Sequence, residues 1–235
     1  MGTPAVQVGE RVYRFPTLGD FVNTMASVQE DGSVTLIDCG TKRAPAQIVE
    51  GLAAIGKHPN DVQRIVLTHS HEDHAGGAAV VVDATGLPGV DCHADEAQFV
   101  ETGSAPPRDE NTLSGRVFER LPMGGFTATP VANRLTDGDL LDGELRVHHT
   151  PGHTPGHIAL VHEPSGVLVT GDSIWNMASR RTWPVSAFCT DHILNRKTAH
   201  VLGELEYETV AFIHGPHIEQ NARETIRRFL KSKGY

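Results

Sequence analysis

Near the N-terminus, apolar and polar positions alternate in three short runs, AVQVGERVYRF, FVNTMASVQE and SVTLID, separated by Pro, Gly and Asp-Gly. A period of two marks half-buried strands, and the punctuation joins them as an antiparallel meander. APAQIVEGLAAIG then carries apolar residues at helical spacing and ends in glycine. The short apolar run RIVLT reads as a strand, HAGGAAVVVDATG as a second helix, and VDCHADEAQFVE as strand then helix once more. In the second half PVANRL, ELRVHHT, HIALVHE and GVLVTGD read as strands joined by tight turns, and TVAFIH as a further strand. HILNRKTAHVLGEL and IEQNARETIRRFLKSKG read as helices, the latter with a basic last turn that suits the helix dipole. This order predicts an α/β (α+β) fold, a sandwich of two sheets with helices outside, as one domain over residues 1–235.

One segment has no period. Residues 102–129 are polar and rich in Gly and Pro, and a loop of that length inside a domain serves a function more often than not. Its apolar residues Phe118, Leu121, Met123 and Phe126 predict a lid or pocket wall.

Charge narrows the partners. With 20 Lys+Arg against 29 Asp+Glu the formal charge is -9, and basic residues never run longer than pairs such as Arg180-Arg181 and Arg227-Arg228. Phosphate neutralisation needs clustered cations, so a nucleic-acid partner is disfavoured and a small-molecule substrate, neutral or weakly charged, is expected. The N-terminus shows no secretory signal and no apolar run reaches membrane-spanning length, so no membrane partner is expected. Three widely spaced cysteines, Cys39, Cys92 and Cys189, read as free thiols of a cytoplasmic protein.

The chemistry concentrates in LTHSHEDHAGG, residues 67–77, where a strand ends and a helix begins. Residues two apart in an extended segment point the same way, so His69 and His71 can face one ion. Asp73 and His74, on the turn, face its neighbour, and Gly76 and Gly77 let the backbone pack closely behind. His153 in TPGHTPGH, Asp172 in VTGDS and His214 in FIHGPH each follow a predicted strand. Imidazole suits zinc or iron, and a carboxylate can bridge two ions. Buried imidazoles and carboxylates each need a partner, which makes metal binding the economical reading of this set. Two divalent ions are expected, zinc first, with iron or manganese compatible; His58, His93, His162, His192 and His200 are assigned no role.

These motifs, HxHxDH at His69 to His74, LIDCG around Asp38, TPGHTPGH, TGDS and IHGPH, resemble in type and order the metallo-β-lactamase-fold hydrolase superfamily. The resemblance spans nearly the whole chain and implies a four-layer αββα sandwich with the site at one edge between the sheets. By that resemblance His69, His71 and His153 hold one ion, Asp73, His74 and His214 the other, and Asp172 bridges them. Asp38 supports the ligands from behind, and His157 supports or packs.

An acid at Asp172 resembles the glyoxalase II and lactonase branch, and is unlike true β-lactamases. The chain runs only about twenty residues past His214, so the helical C-terminal domain of glyoxalase II is expected to be missing. The activity implied is dinuclear hydrolysis, a metal-bridging hydroxide attacking an ester, lactone or thioester carbonyl, with catalytic Asp73 or Asp172 orienting it and relaying its proton. Alternatives on the same fold are a mononuclear iron oxygenase resembling the persulfide dioxygenases, a phosphodiesterase as a less favoured bond type, and a non-catalytic binding protein, against which stands a ligand set with no position lost; the seven-ligand set favours two metals. For the substrate pocket, Trp175, Met177 and Trp183 in SIWNMASRRTWP are expected to join Met123 and Phe126 as an apolar wall, with Arg180 and Arg181 meeting a substrate carboxylate.

Overall fold

The computed structural model describes residues 3–118, 125–178 and 180–233. The first alternating run is itself a hairpin: Val6–Gly9 (β1) and Val12–Pro16 (β2) pair antiparallel, with Arg11 in the turn at φ 61°. Asn23–Val28 (β3) and Val34–Ile37 (β4) complete the meander, in a register that sets Met25 opposite Ile37 and Ala26 opposite Leu36. After helix Pro45–Ala54 (α1), strand Val62–Val66 (β5) lies parallel to β4.

The predicted helix in HAGGAAVVVDATG is broken into Glu72–Ala75 (α2) and Ala78–Thr85 (α3). The break lies at Gly76 and Gly77, where the chain presses on the loop after β4; a Cβ on Gly77 would stand 2.3 Å from the Cys39 carbonyl oxygen. Val90–His93 (β6) and helices Ala97–Thr102 (α4) and Leu113–Phe118 (α5) follow. Among its described residues the aperiodic 102–129 segment thus contains the short helix α5, started by the turn in which Gly115 N–H donates to Thr112 Oγ1 at 2.9 Å.

Val131–Leu135 (β7), grouped by sequence with the later strands, pairs parallel with β6 and closes the first, seven-stranded sheet. Its three central residues are exposed, as befits an edge strand; alternation reveals which faces are wet, not which sheet a strand joins. The second sheet has Leu140–Leu141 (β8), Leu145–His149 (β9), Ile158–His162 (β10) and Val167–Val169 (β11) in antiparallel order. The irregular SIWNMASRRTWP stretch is a hairpin of Trp175–Met177 (β12) and Arg180–Thr182 (β13). Helix His192–Thr198 (α6) precedes strand Thr209–Ala211 (β14), parallel to β11, and helix Ala222–Ser232 (α7) ends the described chain.

Strands buried on both faces divide their side chains between two apolar layers, because successive residues point to opposite sides. Met25, Ile37, Val66, Ile158, Leu160, Val167 and Val169 fill the space between the sheets. Ala26, Leu36 and Ile65 face the other way, against Ile48 and Leu52 of α1 and Val81 of α3. Ala159, Val161 and Leu168 meet Ile226, Phe229 and Leu230 of α7. Three apolar layers separate four structural ones, helix, sheet, sheet, helix, which is the expected αββα arrangement. Loops after β4, β5, β11 and β14, with the turn between β9 and β10, gather at one edge of this sandwich.

Candidate metal centre

All seven ligand-type residues singled out by sequence come together at that edge. The chain turns abruptly after β5, so His69 and His71 leave the strand end while Asp73 and His74 belong to α2. His69 Nε2 lies 3.0 Å from His71 Nδ1, which lies 3.0 Å from His153 Nε2: three ring nitrogens face one point. Beside them, His74 Nε2 is 3.8 Å from Asp73 Oδ1, and His214 Nε2 is 3.3 Å from Asp73 Oδ2. Asp172 reaches both groups, with Oδ2 3.3 Å from His153 Nε2 and 3.3 Å from His214 Nε2, and Oδ1 3.4 Å from His74 Nε2.

Electrostatics divide the two groups. Burial holds the His69 and His153 imidazoles well below their ordinary pKa, with repulsion from neighbouring imidazoles reinforcing it at His69, and holds His71 at about 4. These rings are neutral with lone pairs facing inward. Burial also opposes charge on His74 and His214, but the carboxylates of Asp172, Asp38 and Asp73 overcome it at His74, and Asp172 with Asp73 raise His214 to about 10. Asp172 itself, against its burial, is held well below the carboxylate range by His214 and His74. Protons on His74 and His214 thus supply positive charge where the acids demand it.

A divalent ion fits this demand better. His74 Nε2, His214 Nε2 and Asp172 Oδ1 are buried without any hydrogen-bond partner, an expensive condition for polar atoms unless an ion satisfies them. Five imidazoles and two carboxylates form a donor set suited to zinc, iron or manganese. Of four triads among the described residues whose donor atoms lie within 4.8 Å of one another, two are His69, His71, His153 and Asp73, His74, His214, and a third, His69, His74 and Asp172, joins them.

Behind the ligands stand residues that aim them. Asp38, at φ 63°, accepts from Thr68 N–H at 2.7 Å and Thr68 O–H at 2.8 Å, and takes His74 Nδ1–H at 2.8 Å, which leaves His74 Nε2 for the centre. His214 Nδ1–H donates to the Phe21 carbonyl at 2.6 Å with the same effect. His157 accepts the Asp172 backbone N–H on Nε2 at 2.7 Å and donates from Nδ1 to Thr150, so it steadies the bridging acid's backbone. Burial lowers the His157 ring to about 3, keeping it a neutral acceptor.

Glu96 escaped sequence reading, because one acid at a helix start looks ordinary. It is fully buried, accepts Ser70 N–H at 2.8 Å and the Ser70 hydroxyl on one oxygen, and accepts Gly156 N–H at 2.8 Å on the other. Ser70 sits between His69 and His71, and Gly156 lies on the His153 loop, so one carboxylate ties the two loops that carry the three-nitrogen cluster. The fit demands glycine at 156, where a Cβ would stand 2.8 Å from Glu96 Cγ. Glu96→Gln turns one acceptor into a donor facing an N–H. Zinc affinity, measured by competition with a chelator, is expected to fall about 10- to 100-fold; unchanged affinity would show that the loops hold position without this acid.

A cavity of about 350 Å³ opens onto the centre, lined by His71, Asp73, His153 and Asp172 and walled by Thr41, Glu72, Arg108, Trp175 and Phe188. Trp175 is where sequence placed it, with its ring centroid 4.7 Å from that of His214. The other expected wall residues are elsewhere. Trp183 packs on Phe229, centroids 4.7 Å apart, in the outer α7 layer, and Phe126 packs against the α1 and α3 layer. Met177 is not among the cavity residues, and Met123 and Leu121 lie outside the described residues, as does the side chain of Phe118. Arg180 and Arg181 line a different cavity, with Arg228 and Lys233. The β12–β13 hairpin carries them away from the centre, which corrects their expected role. Arg108 and Phe188 went unnoticed because nothing local signals that their segments meet.

The family model of the metallo-beta-lactamase superfamily matches residues 19–231. Among curated relatives, a probable metallo-hydrolase YybB of Bacillus subtilis is 27% identical over 195 residues, 83% of this chain and 81% of that protein. A hydroxyacylglutathione hydrolase of Chelativorans sp. is 23% identical over 215 residues, 90% of this chain and 69% of that protein. Among solved structures, the metallo-beta-lactamase MIM-1 of Novosphingobium pentaromativorans superposes with a TM-score of 0.71 at 21% identity, covering 97% of this chain and 87% of that one.

Proposed function

The chain belongs to the metallo-beta-lactamase superfamily, and from that premise we propose that it is a dinuclear metal-dependent hydrolase of small esters, thioesters or lactones. His69, His71 and His153 would hold one divalent ion, Asp73, His74 and His214 the other, and Asp172 both. Zinc is the proposed metal. When bound, the ions supply Lewis acidity toward a carbonyl oxygen and lower the pKa of water. The observation that carries the reading is the position of Asp172 Oδ2, 3.3 Å from a histidine of each triad. A mononuclear 2-His-1-carboxylate centre would also draw on Asp172, but it would leave the buried Nε2 atoms of His74 and His214 without an ion.

The two acids divide the remaining work. Asp172 is nearly sealed, at 3% side-chain exposure, and serves as a fixed negative charge between the triads; Asp73, at 39%, opens to the cavity. Asp73 is therefore the group placed to orient water and pass its proton to solvent. Trp175 and Phe188 give the substrate an apolar seat. The three cysteines are buried free thiols, with burial pushing Cys189 up to about 12; a cytoplasmic setting is proposed from their odd number and wide spacing in the sequence.

Elemental analysis of purified protein, combined with a panel of lactone, thioester, ester and phosphodiester substrates, tests the proposal. About two divalent ions per chain and turnover of a carbonyl ester are expected. One iron per chain with oxygen consumption would replace it with the dioxygenase, and turnover confined to phosphodiesters would replace the bond type.

A further inference from the structure

Among the described residues, the cavity over the centre carries one fixed cation. Arg108 lies in the 103–112 stretch, and its Nη1 donates to the Ala187 carbonyl at 2.9 Å. Its Cζ stands 5.4 Å from the centre of the Phe188 ring, so the guanidinium is also held over an aromatic face. Both anchors belong to the 3-10 turn Ser186–Phe188, and Phe188 and Arg108 line the cavity together with His71, His153 and Trp175.

Among the described residues the other ionisable groups of the wall are His71, His153, Glu72, Asp73 and Asp172. Asp73 and Asp172 are committed to the metal centre in the reading above. Glu72 and Arg108 share the rest of the described lining with Trp175, Phe188 and Thr41, beside the histidines. A held guanidinium beside an apolar surface is a carboxylate-recognition arrangement, because its fork of donors is already oriented and little rotamer entropy is lost on pairing.

We propose that Arg108 is a specificity-determining residue that selects substrates carrying a carboxylate on an apolar or aromatic body, away from the bond to be cleaved. The inference rests on the hydrolase reading only for the identity of that bond. It narrows the expectation of a neutral or weakly charged substrate to a singly charged one: the protein is acidic overall, but the cavity wall presents a cation. At about 350 Å³ the cavity lies at the small end of ligand sites, which suits a compact monocarboxylate.

Two measurements test it on the zinc-loaded protein. Turnover is compared for 3-acetoxybenzoate and its neutral methyl ester, in the wild type, Arg108→Gln and Arg108→Lys. The wild type should prefer the anion; R108Q should raise KM for the anion about 10- to 100-fold, as expected for a charge-assisted pair, and change the methyl ester less than twofold. R108K should restore part of the loss. Equal effects of R108Q on both esters, or no preference in the wild type, would overturn the inference and leave the hydrolase reading intact. The second measurement needs no turnover: calorimetric binding of isophthalate should weaken about tenfold or more in R108Q, and equal affinity would also overturn it. If neither ester is cleaved by any variant the hydrolase reading of these esters fails, while the binding comparison still decides the role of Arg108.

Discussion

Replacing Asp172 with asparagine is expected to lower kcat of the metal-loaded protein by about a thousandfold or more while leaving the fold in place. The side chain is almost fully buried, yet Oδ1 has no hydrogen-bond partner and Oδ2 stands 3.3 Å from a histidine nitrogen of each triad. Asparagine preserves the shape and the backbone N–H donated to His157. It removes the one negative charge common to both triads, so two cations would face each other without a shared counter-charge. Metal content should fall below two ions per chain, read by elemental analysis, with far-ultraviolet circular dichroism unchanged. In metal-free protein the same change should bring His214 down toward its ordinary pKa, because Asp172 is the largest contributor raising it. An asparagine variant that binds two ions and keeps more than a tenth of wild-type kcat would sink the dinuclear reading.

What could be read from sequence follows from how local each signal was. HxHxDH was legible because its four ligands sit within six residues and a period of two places two of them on one side. His153, Asp172 and His214 were legible because each follows an apolar run, and strand ends of one sandwich meet at one edge. Glu96 and Arg108 lacked any such marker. Glu96 matters only because Ser70 and Gly156, far apart in sequence, both point N–H groups at it. Arg108 matters because its segment docks on Ala187 and Phe188, some eighty residues later. Trp183 and Phe126 show the converse: one stands near a ligand in sequence and the other in an aperiodic loop, signals that suggest a pocket, while both bury their area in outer layers. The same reasoning explains β7, whose alternating pattern was read correctly as a strand but whose partner is set by the crossover through α4.

Stripping the metal is expected to expose a second signature, a stability maximum near pH 6.5 with losses on both sides. His69, His71, His153 and His157 are all buried with lowered pKa, about 4 for His71 and about 3 for His157. The unfolded chain takes up protons on these rings below the ordinary histidine value of 6.5 and the folded chain does not, so stability falls as pH drops from there. Each ring contributes roughly 1 kcal/mol per pH unit in that window. His74 and His214 act in the opposite sense. Their folded pKa is raised, to about 10 for His214, so their contribution is complete below 6.5 and is lost as pH climbs toward 10. Metal loading changes the alkaline side specifically: ions take the place of the protons on His74 and His214, so metal affinity should rise with pH where the stripped protein weakens. Thermal unfolding followed from pH 5 to 9, with and without zinc, should show a gain on loading that widens above pH 7, on the order of 10 °C or more by pH 8. A stripped protein whose Tm is flat between pH 6.5 and 9 would mean that His74 and His214 are not held protonated by Asp172, Asp38 and Asp73, and the electrostatic account of the second triad would fall with it.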